Sequence, residues 1–296
     1  MKDSPKKITW RVMRDPDTAL LNLSEGSIDA IFDFPIDQIQ NARRQGVTVV
    51  ENETAKCSYL FMNTKMTNSE TRKLIAAALN IPKIIEDLGL PVTQLKAFVP
   101  PTSLAHNPDI PSHFNPNQMD EVKRQITALP AADRTIKFGF SAKEGEDVMN
   151  KIAEQLRNAG FTVETHRPDF NTFIENTLRA DTYNMAFFSE AHVEPFGHKA
   201  MFDLMDPEQL NDKNQAHTFL SEKDPEVIRL LNEIKSNLSK EEFVTKVKRL
   251  QQIFHEKAFI VPFYTQNTVF LTNNKIQNFN CDSMSKTDLT KIRKSN

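Results

Sequence analysis

Between Glu146 and Phe188 the spacing of apolar positions changes several times, and each change predicts an element. Val148, Ile152, Ala153, Leu156 and Ala159 recur at helical spacing, and Gly160 follows where a left-handed cap is cheap only without a Cβ. A helix should stop there. Phe161, Val163 and Thr165 alternate with Thr162 and Glu164 as in a strand, and Asn171 or Thr172 can cap a second helix carrying Phe173, Ile174 and Leu178. After a turn at Asp181-Thr182, the apolar run Tyr183, Met185, Phe187, Phe188 predicts another strand. The helical crossover between the two strands has the length of a parallel βαβ unit, normally right-handed. That strand runs into Ser189-Glu190-Ala191-His192-Val193-Glu194-Pro195. In open α/β sheets ligands gather outside the carboxyl ends of strands, so this loop is the first candidate for a site.

The same patterns organise the rest of the chain. Lys7 to Val12 alternates like a strand, and Asp15-Pro16-Asp17 caps a short helix over Thr18 to Leu23 that Glu25-Gly26 ends. Ile28 to Phe32 reads as a buried strand, Pro35 opens a helix over Ile36 to Arg44, and Val47 to Val50 returns as a strand. Ser58 to Asn63 is a further apolar strand, followed by a cap at Asn68-Ser69-Glu70 and a helix from Thr71 to Leu79. Val99 to Asn117 lacks periodicity and is rich in Pro, His and Asn, which predicts a loop. Pro116 opens a helix through Leu129, and Thr135 to Ser141 is a strand that starts a second β-α-β-α-β series. Asp224-Pro225 caps a helix over Glu226 to Leu238, and Ser239-Lys240-Glu241-Glu242 is the capping box of the last long helix.

Composition narrows the function classes. Of 296 residues 39% are hydrophobic and 26% charged, enough for two modest domains. A net charge of −2 and a pI of 6.4, with scattered lysines, offer no field for nucleic acid. Glycine occurs only 7 times, and neither G-x-G-x-x-G nor G-x-x-x-x-G-K-[ST] is present, which argues against nucleotide-binding enzymes. Met1 to Lys7 is charged and leads directly into the first apparent strand, so no signal peptide is expected, and no apolar run approaches membrane-spanning length. Cys57 and Cys281 could pair in an oxidising compartment or remain two small buried thiols.

Candidate chemistry is sparse. His192, Glu194 and His198, with Glu190 alongside, are of the types that bind zinc or nickel, but the loop containing Pro195 and Gly197 has no fixed period, and a solvated acidic turn is the alternative. His106 and His113 lie among prolines and read as loop surface, while His166 and His255 read as cap-region or polar-face residues. No G-x-S-x-G is present, and Cys57 precedes an apolar strand like an inert thiol. No enzyme activity and no cofactor are expected. Phe138, Phe140, Phe187, Phe188 and Tyr264 read as core residues.

Several of these stretches together resemble the extracellular solute-binding protein family 5, the oligopeptide-, dipeptide- and nickel-binding proteins of ABC importers. ITWRVMRDPDTALLNLSEGSIDAIFDFP is similar to the family's strand and helix before G-x-x-D and a further strand. SYLFMNTK followed by SETRKLIAAALNIPKII resembles its apolar strand, Asn-Thr and Val-Arg-x-Ala helix, with Arg72 and Ala76 or Ala77 in matching places and Asn80-Ile81-Pro82-Lys83 replacing the usual Asp-Arg. FVTKVKRLQQIFHEKAFIVPFYTQNTVFLTNNKIQNF resembles its closing helix and x-I-P-x-Y strand, with Pro262 and Tyr264 aligned.

The resemblance implies an α/β fold of the periplasmic binding protein-like class II. One complete α/β lobe, residues 65–257, would be joined by two crossover strands to the remnant of another, residues 1–64, with residues 258–296 forming return strands and a tail. The first lobe is expected to be largely missing, so the chain would be a fragment, a split product or a degenerate protein, with a first-lobe polypeptide as a possible partner.

The implied ligand is a small peptide or similar solute, held in the cleft between lobes and passed to an ABC permease. The resemblance places recognition in the loop after Tyr183-Asn184-Met185. Candidate ligand-binding residues are Phe187, Phe188, Glu190, His192, Glu194 and Tyr264. Glu194-Pro195 is the nearest equivalent of the family's Asp-Pro, and the usual Trp is absent. The family implies a periplasmic or extracellular location, whereas a chain without a leader would be cytoplasmic. Some regulators resemble a winged-helix domain fused to this family, so a ligand-sensing domain of a transcriptional regulator is the alternative.

Overall fold

The structure is a computed structural model. It describes residues 5–13, 15–32, 34, 38–90, 92–142, 145–178, 182–191, 224–280, 282 and 287–295. Tertiary contacts divide the chain into two units. One comprises Met1–Lys56, Leu90–Thr93 and Thr265–Asn296, and the other Cys57–Gly89 and Gln94–Tyr264. The chain crosses from one unit to the other inside two long strands, β2 (Thr48–Met62) and β7 (Ile260–Thr272).

In the first unit, α1 (Pro16–Ser24) begins at Asp15, whose carboxylate accepts from the Thr18 N–H at 3.1 Å, and it is followed by Gly26 at φ +77°. Asp15 is held below the usual carboxylate range by the Thr18 hydroxyl and amide. β1 (Ala30–Ile31) pairs antiparallel with β7, Ala30 opposite Thr272 and Ile31 opposite Leu271. α2 (Ile39–Arg44) completes a small core in which Leu20, Leu23, Phe34, Ile39 and Ala42 pack with Val269 and Leu271. Between those two, Phe270 points to the other face and meets the rings of Phe32 and Phe279, each at 5.3 Å. A strand's period of two places Val269 and Leu271 on one face and Phe270 on the other.

Three expectations change here. Lys7 to Val12 forms no regular strand, and Ile8, Trp10 and Val12 are 48%, 64% and 94% exposed. Alternation alone does not make a strand without a ladder partner. The expected strand Ile28 to Phe32 shrinks to two half-buried residues. The separate strands at Val47 to Val50 and Ser58 to Asn63 are one continuous β2, because the intervening Glu51 to Lys56 contains neither Gly nor Pro to break it. Pro35 and Ile36 lie outside the described residues.

The second unit begins with α3 (Ser69–Ala78), capped by the Asn68 side chain on the Thr71 N–H at 2.9 Å. α4 (Ile81–Leu88) follows, capped by Asn80 and closed by Gly89 at φ +57°. β3 (Val92–Gln94), whose Val92 and Thr93 belong to the first unit, leads back into the second through an irregular stretch from 95 to 115, then to a 3-10 turn and α5 (Met119–Ala128). After the short α6 (Ala131–Arg134) come β4 (Thr135–Phe140), α7 (Glu146–Ala159), β5 (Thr162–His166), α8 (Phe170–Leu178) and β6 (Met185–Ala191). Gly160 stands at φ +116°, as the end of the apolar period predicted. α8 starts two residues before Thr172, capped by Asp169, which accepts from the Asn171 N–H at 3.0 Å, the Thr172 N–H at 3.2 Å and the Thr172 hydroxyl at 2.6 Å. Asp outcompetes Asn and Thr here because it reaches two amides and a hydroxyl at once.

β4 pairs parallel with β5 through Ile136 opposite Val163, and parallel with β6 through Phe140 opposite Phe187. The strands of the predicted βαβ unit are therefore not neighbours, because β4 lies between them in the order β2-β6-β4-β5. Ala186 belongs to a core that includes Tyr59, Phe61, Phe98, Phe173, Tyr183 and the apolar stripes of α9 (Pro225–Ile234) and α10 (Lys240–Glu256). Met185 and Phe187 alternate onto the opposite face, and α3, α4, α5 and α7 pack with one another.

The capping box at Ser239 and Glu242 is present as expected, whereas α9 ends at Ile234 rather than Leu238. Asp224 caps α9 and pairs with Lys257; burial pushes its carboxyl up, but Lys257 and the Val227 and Glu226 amides together hold it below the usual range. Arg72 is buried, and its charge is satisfied by the Thr67 carbonyl at 2.8 Å, the Lys257 carbonyl at 3.2 Å and the Phe259 ring at 5.2 Å.

Candidate functional site

The chain leaves β4 for β5 on one side and returns past β4 to β6 on the other. In a sheet ordered in this way, the adjacent carboxyl ends of two parallel strands such as β4 and β6 are where a ligand is expected. Sequence thus chooses the place through topology. The residues there are Phe140 and the buried Ser141 after β4, and Phe187, Phe188 and Ser189 in β6.

Asn184 and Asn63 set the strands in register. The Asn184 side-chain carbonyl accepts from the Lys137 N–H at 2.9 Å, and its amide donates to the Met66 carbonyl at 3.3 Å. The Asn184 backbone exchanges hydrogen bonds with the Lys137 carbonyl and the Asn63 N–H, both at 2.9 Å, and the Asn63 amide donates to the Tyr183 carbonyl at 3.0 Å. Asn63, Tyr183 and Asn184 are buried, so their polar atoms need these partners in place of water.

The two adjacent phenylalanines point oppositely. Phe187 is fully buried, edge-on to Phe263 at 5.4 Å and 6.3 Å from Tyr264. Phe188 is only partly buried and stacks on Phe61 at 4.1 Å with 11° between ring planes. Next to it, the Ser189 hydroxyl lies 2.9 Å from that of Ser58. Gly139 matters at this point because a Cβ would fall 2.5 Å from the Tyr183 ring, which fills the space beside β4. At the end of β5, Arg167 reaches the Glu146 carboxylate at 2.7 Å and the Ala142 carbonyl at 3.3 Å, closing the β4–α7 turn.

Of the six candidate residues, Phe187, Phe188 and Tyr264 are placed by the structure. Phe187 and Tyr264 serve as packed core, and Phe188 has a partly open ring beside Ser189. The backbone of Glu190 continues β6, and its side chain lies outside the described residues, as do His192, Glu194, His198 and Cys281. Cys57 is buried. Sequence reasoning missed Ser58 and Asn184, whose roles depend on contacts between distant strands. It also placed His113 on the loop surface, whereas its ring stacks on His255 with centroids 3.8 Å apart. Two rings can cover each other when their backbones converge, whatever the prolines nearby.

Among the described residues no group of three or more His, Cys, Asp or Glu converges as a metal cage, and no helix is long and apolar enough to cross a membrane. A surface depression of about 800 Å³ is lined by Pro225, Ile228, Arg229, Asn232, Glu233 and Ser236. It belongs to one face of α9 and its end and gathers no groups from the strand ends, so the ends of β4 and β6 are the stronger candidate.

Comparison with known proteins agrees with this architecture. Residues 2–206 match the family described as bacterial extracellular solute-binding proteins, family 5 middle. The chain is 22% identical over 301 residues to the oligopeptide-binding protein OppA of Bacillus subtilis (strain 168), covering 93% of this chain and 51% of that protein. Its fold is similar to that of the ABC transporter substrate-binding protein CtaP of Listeria monocytogenes, with a TM-score of 0.83 and 15% identity over 96% of this chain and 59% of that one. It is also similar to the oligopeptide-binding protein AppA of Bacillus subtilis solved with a nonapeptide, with a TM-score of 0.75 and 16% identity over 96% of this chain and 60% of that one. The chain spans about half the length of the curated relative it matches. The fold is the periplasmic binding protein-like class II type, present in part, and a transcriptional-regulator reading finds no support in these matches. The chain belongs to the family 5 bacterial extracellular solute-binding proteins, a family of substrate-binding proteins rather than enzymes.

Proposed function

We propose that this chain binds a peptide-type solute at the carboxyl edge of β4 and β6 and takes part in its delivery to an ABC permease on the extracytoplasmic side of the membrane. The observation that supports the reading is the strand order β6-β4-β5, which sets the carboxyl ends of β4 and β6 side by side next to the partly exposed Phe188 and Ser189, in a family with an oligopeptide-binding relative. An extended peptide suits such an edge, since strand ends offer backbone groups and Phe188 an apolar surface, and alternate ligand side chains can then fill separate pockets. Phe187 and Tyr264 support the floor through packing. Glu190, His192 and Glu194 follow in sequence, and an acid there would pair with the ligand's amino group.

Because the relatives are longer, the remaining ligand contacts would come from polypeptide corresponding to the part that this chain does not cover. Residues 1–64 then act as the remnant of one lobe and residues 65–257 as the other, with 258–296 returning to the first. Closure of such lobes would draw its energy from contacts made only in the closed state.

Native mass spectrometry of the chain incubated with a mixture of tri- to nonapeptides tests this reading. Peptide adducts are expected on the wild-type chain and should fall at least tenfold on Ser189→Arg, which adds bulk at these strand ends without removing core. Adducts of equal abundance on both proteins would place the site elsewhere.

A further inference from the structure

Segment 95–114 is fastened to its own unit unevenly. Its first half is held by Gln251 of α10, whose side-chain amide donates to the Ala105 carbonyl at 2.7 Å and whose carbonyl accepts from the Val99 N–H at 3.3 Å. The Tyr59 hydroxyl donates to the Phe98 carbonyl at 2.5 Å, and Asn107 reaches the Lys248 carbonyl at 3.5 Å. None of these ties carries a group that titrates near or below neutral pH. Further along, the ring of His113 lies on that of His255 at 3.8 Å with 23° between planes. The His113 Nε2 atom is buried and makes no hydrogen bond. Both rings line a cavity of about 20 Å³, room for about one water, walled mainly by Ala76, Leu79, Ile81, Leu95, Val261 and Pro262.

We propose that the stacked His113–His255 pair is an acid-releasable latch, which holds the end of segment 95–114 on α10 when both rings are neutral and lets it go when they take up protons. Two neutral imidazoles stack well, whereas two cations this close in an apolar wall repel each other and lack the water that would solvate them. The surrounding charges do not rescue them. Lys73 on α3 and Lys96 on the segment are positive, and Glu256, the one carboxylate acting on His255, is already paired with Arg249 at 3.1 Å. Burial, His255 and Lys73 push His113 down to about 3, and burial lowers His255 despite Glu256. Because both folded-state values lie below the ordinary histidine value near 6.5, the unfolded or released form binds more protons. The latch is therefore intact above about pH 6.5 and weakens as pH falls from there toward 3.

The test compares wild type with the His113→Phe/His255→Phe double variant, which keeps two stacked rings without titration. Between pH 7.5 and 5.0 the wild-type Tm should drop by about 5 °C more than that of the variant. Amide exchange of residues 108–115, corrected for intrinsic rate, should rise at least tenfold at pH 5.0 in the wild type only. Identical pH dependence of the two proteins would overturn the latch. If the variant does not fold, NMR titration of the wild-type imidazoles decides the matter: both rings titrating below the ordinary histidine value supports the latch, and either ring titrating at or above that value overturns it.

Discussion

Phe187→Ala is expected to destabilise the second unit by about 3–5 kcal/mol, the range for emptying a fully buried phenylalanine site. Phe187 is fully buried opposite Phe140 in the β4–β6 ladder, and it presents its edge to Phe263 and lies beside Tyr264. The cavity would sit where strands meet and cannot collapse without moving β6. Urea unfolding followed by far-UV circular dichroism measures this loss as a lower midpoint at unchanged slope. Phe188→Ala should cost clearly less, because that ring, which leans on Phe61 and Phe173, is already partly exposed. Its larger effect should be on peptide binding. A similar loss of stability in both variants would contradict the assignment of one ring to the core and its neighbour to the rim.

Asn184→Leu is expected to cost roughly 2–4 kcal/mol, although leucine has a similar volume and greater hydrophobicity. The substitution strips the Lys137 N–H and the Met66 carbonyl of their partly buried side-chain partners. Each abandoned group costs about 1–3 kcal/mol, and the gain from added apolar surface does not offset both. The backbone bonds of Asn184 with Lys137 and Asn63 remain, so the fold should persist with a loosened start to β6. Hydrogen exchange at Met185 and Ala186 would report that loosening. A variant as stable as the wild type would mean that the clamp is incidental to the register of β4 and β6.

What the sequence revealed and what it hid divide by the range of the interaction. Elements with a local signal were legible: Asp15, Asn68 and the Ser239–Glu242 box cap the helices that they head, and Gly160 ends α7 in the left-handed region. Asp169 was passed over as a cap because Asn171 and Thr172 are also good cap residues, and only coordinates show which side chain reaches the free amides. The unbroken β2 was misread as two strands, since Glu51 to Lys56 is polar on a stretch that apolar patterning alone would leave out. Lys7 to Val12 erred in the opposite direction, because alternation records a preference for a ladder and not the presence of a neighbour.

The site was legible to the same degree. The carboxyl end of β6 follows from the order of elements, yet the position of β4 between β5 and β6, which sets the ends of β4 and β6 side by side, comes from pairing that no period encodes. Phe187 and Phe188 look alike in sequence, and the parity of the strand decides which one is core. The contacts of Ser58 with Ser189 and of His113 with His255 join residues far apart along the chain, and a single sequence carries no signal for them.

Isothermal titration of the purified chain with a series of tri- to pentapeptides, set against the corresponding free amino acids, tests the central claim most directly. The account predicts saturable heat with peptides, absent with free amino acids and abolished by Ser189→Arg in a protein that still unfolds cooperatively. Absence of peptide heat up to millimolar concentration in a cooperatively folded chain, or equal heat from free amino acids, would contradict it.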